Sequence, residues 1–135
     1  DVKVHAEGKS IIKAFTESAL AFRELMFRHE KIEIAETTRK KINILGKDDE
    51  ALLYNFLEEF LYLLEAENFI LARISKIDIS PGNLTAELIG DYASNYKIVN
   101  DVKAITYNEM KVEKLVERGK SRKLIGYTIE FVVDV

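Results

Sequence analysis

Apolar and polar residues alternate from the first positions of the chain. Val2, Val4 and Ala6 stand between Asp1, Lys3, His5 and Glu7, the two-residue period of a strand with one buried face. Gly8 ends that run. From Ser10, a suitable N-cap, the period changes: Ile11, Phe15, Ala19, Phe22 and Met26 recur at helical spacing and predict an amphipathic helix reaching about His29. Ile32 and Ile34, then Ile42 and Ile44, mark extended stretches separated by the polar run from Glu36 to Lys41, which predicts a hairpin or a bent strand.

Gly46, Lys47 and Asp48 stop the strand and cap a second helix, whose Leu53, Phe56, Leu57, Phe60, Leu61 and Leu64 follow i, i+3, i+4, i+7 spacing. Phe69 to Ser80 reads as a strand, Ser80-Pro81-Gly82-Asn83 as a tight turn, and Leu84, Ala86 and Leu88 as the inward face of the returning strand. A polar loop from Asp91 to Asp101 follows. Then come strands Val102 to Tyr107 and Met110 to Val116, a turn containing Gly119, and a last strand from Leu124 to Val133. Strands in hairpin succession with two interspersed helices predict an α+β two-layer sandwich, both helices packed on one face of a mainly antiparallel or mixed sheet.

With 135 residues, 47% of them hydrophobic, the chain is sized for one domain, 1–135, with a real core. Its net charge of -3 lacks the basic excess of a protein that holds nucleic acid by neutralising phosphates. No cysteine is present, so disulfides, thiolate metal sites and cysteine nucleophiles are excluded, and a reducing, cytoplasmic setting is expected. The most apolar stretch, Ala51 to Leu64, is broken by Asn55, Glu58 and Glu59, so neither a membrane span nor a signal peptide is expected. A start at Asp1 without methionine leads us to expect native residues upstream.

Strand parity places the candidate chemistry. In the last strand Ile125, Tyr127, Ile129, Phe131, Val133 and Val135 share one face, which leaves Thr128, Glu130 and Asp134 on the other. Val2, Val4 and Ala6 inward likewise put Asp1 outward. If the first and last strands are antiparallel neighbours, Asp1 and Asp134 come together, and the α-carboxylate of Val135 adds a third anionic oxygen. Like charges opposed across a sheet repel unless a cation or shared proton relieves them, and calcium or magnesium suits such oxygen ligands. Parity alone favours the plainer reading, two solvated, frayed chain ends.

Four blocks give the chain a family likeness: Asp1-Val2; the run Leu52 to Leu63, rich in leucine and aromatic residues; Val102-Lys103-Ala104-Ile105-Thr106-Tyr107; and Phe131-Val132-Val133-Asp134-Val135. In order and spacing they resemble the archease family along nearly the whole chain. That resemblance implies a non-enzymatic protein that activates an RtcB-type RNA ligase in tRNA splicing and RNA repair, promoting its guanylylation and repeated turnover. GTP and the catalytic metals would belong to the ligase, and RNA would be met only through it. The resemblance further implies a metal site, expected to hold calcium, made by Asp1, Asp134 and Val135, with Lys103 acting at the ligase contact or near the activated nucleotide. Two departures stand out: no His-Thr-Ala precedes Asp1, and Asn108 replaces the histidine that commonly follows Thr-Tyr.

Other residues offer less. His5 and His29 are the only histidines, and no serine stands beside a plausible relay, so both are expected to be solvated or structural. Asp48-Asp49-Glu50 and Glu58-Glu59 suit capping, helix-dipole matching and solubility better than a second cation site. Arg39-Lys40-Lys41 and the run Arg118 to Lys123 are basic patches able to meet RNA or an acidic partner. No phosphate-binding glycine loop is found. Two rival readings remain: a metal-dependent phosphoesterase using the two carboxylates and Lys103, and a chaperone-like or RNA-binding module using the basic hairpin.

Overall fold

A computed structural model describes residues 1–27, 31–119 and 121–135. In chain order the elements are β1 (Val2–Gly8), α1 (Ile11–Leu25), β2 (Thr38–Leu45), α2 (Asp49–Glu67), β3 (Phe69–Ser80), β4 (Asn83–Tyr92), β5 (Ala104–Val116) and β6 (Leu124–Asp134), with a 3-10 turn at Ala93–Asn95. They form an α+β sandwich. Its strands divide into two three-stranded sheets, ordered β1-β6-β5 and β2-β4-β3, and every strand pair is antiparallel.

Helix α1 begins where the Ser10 hydroxyl accepts the Lys13 N–H at 3.1 Å. It buries Ala14, Phe15, Ala19, Phe22 and Leu25 against β1, β6 and β3. The helix ends at Leu25, and a tightened turn through Met26 and Phe27 follows, their N–H groups donating to Arg23 and Glu24. His29, the expected end, lies outside the described residues. Helix α2 is capped by Asp48, whose carboxylate accepts the Ala51 N–H at 2.8 Å, and it closes on Asn68 in the left-handed region at φ 53°. Its stripe of Leu53, Phe56, Leu57, Phe60 and Leu61 packs on β5, β3 and β2. Because both helices touch both sheets, one continuous core joins all the elements.

The β3–β4 hairpin turns at Pro81 and Gly82, Gly82 taking φ 77° as the second central position of a type II turn requires. Two expectations change. Ile32 and Ile34 pack half-buried on the core, but the segment before Thr38 forms no strand: the Ala35 N–H donates to the Tyr96 hydroxyl at 2.8 Å and the Thr37 N–H to the Gly90 carbonyl at 2.9 Å. The stretches 102–107 and 110–116, read as two strands, are one strand beginning at Ala104. A bulge marks the join: Thr106 pairs with Val132 and Lys111 with Glu130, so Tyr107 to Met110 face Phe131 alone.

Candidate functional site

Strand β6 carries the site because it is the middle strand of its sheet. On one side β1 runs antiparallel to it with Val2 opposite Val133, and one further step in that register sets Asp1 opposite Asp134. On the other side Ala104 of β5 faces Asp134, and the Lys103 N–H donates to the Asp134 carbonyl at 2.8 Å. Asp1, Lys103 and Asp134 therefore gather at one end of the sheet. Val133 and Ile105 are buried beneath, so Asp134 is half-exposed and Asp1 and Lys103 are exposed. The antiparallel neighbourhood on which the parity argument depended is present.

Among the described residues, no group of three or more histidine, aspartate or glutamate side chains is gathered to hold a metal. The donors available at this end are the two carboxylates and the main-chain carbonyl of Val135. All are hard oxygen ligands, which fits calcium or magnesium in kind and leaves most of a six- to eight-oxygen shell to water or a partner.

The same outward face continues along the sheet as a charge mosaic. The Lys3 ammonium lies 3.5 Å from a Glu130 carboxylate oxygen, and His5 stands between Glu7, 3.1 Å from its Nε2, and Glu130, 3.8 Å from its Nδ1. His5 is an exposed member of this mosaic, with carboxylates on both sides. Beyond Lys103, the β5 bulge turns Met110 into the core and leaves Tyr107, Asn108 and Glu109 exposed. The Tyr107 ring meets Tyr54 of α2 edge-on, with centroids 5.3 Å apart. Hydrogen bonding to Glu58, then burial, raises the Tyr54 hydroxyl pKa. The block from Lys103 to Asn108 thus spans the acidic end and a protruding bulge braced by α2.

The acidic start of α2 is occupied by capping, and burial followed by repulsion from Asp48 and Asp49 raises the Glu50 carboxyl. In the first basic patch, Lys40 is tied to Glu67 at 2.6 Å. In the second, Lys120 lies outside the described residues. Sequence reading missed Asp91, which it placed in a polar loop. Asp91 sits in β4 at 4% exposure and accepts from the Thr37 and Tyr96 hydroxyls and the Asn95 amide, with the Tyr92 N–H also contributing. Those donors, Thr37 foremost, lower its pKa to about 2. The network fastens the segment before β2 to the end of β4. Arg23 was also missed: its guanidinium donates to the Leu71 and Ala72 carbonyls at 3.1 and 2.9 Å, where β3 bulges, and burial lowers its pKa. The Arg23 contacts and the Thr37–Asp91 bond are long-range, whereas Asn95 and Tyr96 lie within five residues of Asp91.

Comparison with known proteins agrees with this architecture. The model of the Archease protein family matches residues 1–135. Protein archease of Pyrococcus abyssi is 32% identical over 121 residues, covering 85% of this chain and 83% of that protein, and the Thermococcus kodakarensis protein is 34% identical with the same coverage. An archease-like protein of Drosophila melanogaster is 26% identical over all of this chain and 85% of its own length. In fold, the chain is similar to the crystal structure of an archease, described as a possible chaperone, from Thermotoga maritima: TM-score 0.63 and 18% identity over 100% of this chain and 91% of that one. With the family model matched from end to end and relatives above 30% identity, this chain belongs to the archease family.

Proposed function

We propose that this protein is a non-enzymatic activator of an RtcB-type RNA ligase, acting in the cytoplasm in tRNA splicing and RNA repair. Family membership supports the reading, and the observation that carries it to particular residues is the β1–β6 register that sets Asp1 opposite Asp134 with Lys103 alongside. Two carboxylates facing each other across a ladder repel, so the pair favours a bound divalent cation, calcium for preference, completed by oxygens of Val135 and of water. A shell so incompletely filled by this chain leaves room for an acidic or phosphate oxygen of the ligase. Lys103, an exposed ammonium close by, is suited to hold such an anion as a point charge. GTP and RNA are then the ligase's substrates, and this chain acts by binding the nucleotide-accepting state of the ligase better than its competitor, since equal affinity would shift nothing.

The test measures guanylylation and multiple-turnover ligation by the partner ligase with and without this protein. Asp1→Ala and Asp134→Ala, each shown by circular dichroism to stay folded, are expected to abolish the stimulation, and Lys103→Ala to reduce it. Stimulation unchanged in both aspartate variants would sink the proposal. Turnover of an RNA end or nucleotide by the purified chain alone would replace it with an enzymatic one.

A further inference from the structure

Two exposed patches of opposite charge lie outside the acidic end. The first is the far end of β5 and β6. β1 accompanies β6 only until Gly8 meets Tyr127, so the strands continue to their turn as a two-stranded ribbon. There Leu115, Val116, Leu124 and Ile125 are 37%, 49%, 45% and 51% exposed. Between them the sequence holds Arg118, Lys120, Arg122 and Lys123, with Glu117 as the only acid. The Glu117 N–H donates to the Lys123 carbonyl at 2.7 Å and closes the turn. Such a ribbon has no layer of its own on which to bury aliphatic side chains. The stretch from Leu115 to Ile125 contains no aromatic ring for base stacking, so its aliphatic chains beside cations suit an acidic, apolar protein surface rather than single-stranded nucleic acid.

The second patch has that character. An open groove of about 520 Å³ runs between the end of β2 and α2, with Leu45, Tyr62, Glu58 and Glu59 among its lining. Leu45 is 67% and Tyr62 55% exposed, the largest exposures of large hydrophobic side chains among the described residues. Helix α2 carries Asp49, Glu50, Glu58, Glu59, Glu65 and Glu67 without one lysine or arginine. Burial, then repulsion from Glu67, raises the Glu59 carboxyl, a strain that an incoming cation relieves.

We propose that this groove receives the basic ribbon tip of a second copy of this chain, with Arg118 and Lys123 meeting Glu58 and Glu59 while the ribbon's aliphatic residues cover Leu45 and Tyr62. Both halves of the contact are present in one chain and are complementary in charge and in unpartnered apolar surface. The contact joins unlike surfaces, so each copy offers one tip and one groove, and association closes as a pair only where two such contacts are made reciprocally.

Sedimentation equilibrium from low micromolar to submillimolar concentration tests it without reference to ligase activation, so its outcome is separate from that of the proposed function. The average mass is expected to rise above that of a monomer with concentration at low salt and to fall back at high salt. Arg118→Glu with Lys123→Glu, and Glu58→Lys with Glu59→Lys, are each expected to weaken association about tenfold or more. Mixing the two variants is expected to restore it, a rescue that misfolded protein cannot give. A monomer at every concentration in low salt, association untouched by both double variants, or a mixture no tighter than its components would each overturn the proposal.

Discussion

Replacing Phe131 by alanine tests the facing of the strand that carries the candidate site. Phe131 is fully buried, lies opposite Val4 of β1, and meets the Phe22 ring of α1 edge-on with centroids 6.3 Å apart and planes at 65°. Truncating a ring in such a position removes its transfer free energy, leaves a cavity between sheet and helix, and costs about 3–5 kcal/mol. Of that, about 0.5–1.5 kcal/mol is the edge contact with Phe22. Against a total stability on the order of 5–15 kcal/mol this is a large fraction. With a urea dependence of about 1–3 kcal/mol/M, the unfolding midpoint should fall by roughly 2 M. Phe131→Leu, which keeps much of the volume, should cost about 1–2 kcal/mol. Glu130→Ala, on the opposite face, should change stability by no more than about 1 kcal/mol, because its pairing with Lys3 at 3.5 Å is a surface one. Urea unfolding followed by far-ultraviolet circular dichroism reads all three variants. A loss below about 1.5 kcal/mol for Phe131→Ala, well under the usual range for a buried ring, would refute the reasoning. So would a Glu130→Ala loss equal to it, and Asp134, which shares the face of Glu130, could not then be held outward.

Two further predictions concern the sheet that lacks the site. Asp91, held at about 2 against an ordinary 3.8 by Thr37, the Tyr92 N–H, Tyr96 and Asn95, has a depressed folded-state pKa. Its contribution is therefore complete above about pH 4 and lost as pH falls toward about 2. Urea midpoints between pH 5 and pH 2 should drop more steeply for the native chain than for Asp91→Asn, and parallel curves would contradict the network. Gly90→Ala would set a Cβ against the Ile70 carbonyl oxygen and 2.7 Å from the Phe69 ring, in the middle strand of its sheet. It should cost about 1–3 kcal/mol or more, and an unchanged melting temperature would show that β3 and β4 part there without penalty.

Much of this architecture was legible because local pattern and tertiary burial agree. The alternation of Val2, Val4 and Ala6, the α2 stripe and the parity of β6 each name a face. Val4, Ala6, the α2 residues Leu53, Phe56, Leu57, Phe60 and Leu61, and Ile129, Phe131 and Val133 are buried on it, while Ile125 and Val135, at the two ends of the β6 face, are exposed. Periodicity names a face but not a neighbour, so the division of six strands into two sheets was not readable. The segment around Ile32 and Ile34 has the composition of a strand, yet its N–H groups find Tyr96 and Gly90, partners distant in sequence. The β5 bulge hid in an apparent gap between two strands, since Asn108 and Glu109 look like a loop when their flanking pairs are unseen. At the candidate site, parity supplied the outward direction of Asp1 and Asp134. The place of Lys103 beside them depends on β5 pairing with β6, which the hairpin succession through the Gly119 turn anticipated, whereas a role for Lys103 came from the family likeness alone.

The union of β1 with β6 also bears on how the chain comes to be folded. Strands β2, β3 and β4 lie within one contiguous stretch with α2 among them, so that sheet and its helix can associate while later residues are still being synthesised. The other sheet cannot. Its middle strand is the last to emerge, and β1 must wait exposed beside α1 until β6 arrives to separate it from β5. Closing so long a loop is slow, because its entropy must be overcome before any contact compensates. The acidic end would therefore be assembled late in folding, and a chain stalled or cut before Asp134 would never bring Asp1 and Asp134 opposite each other.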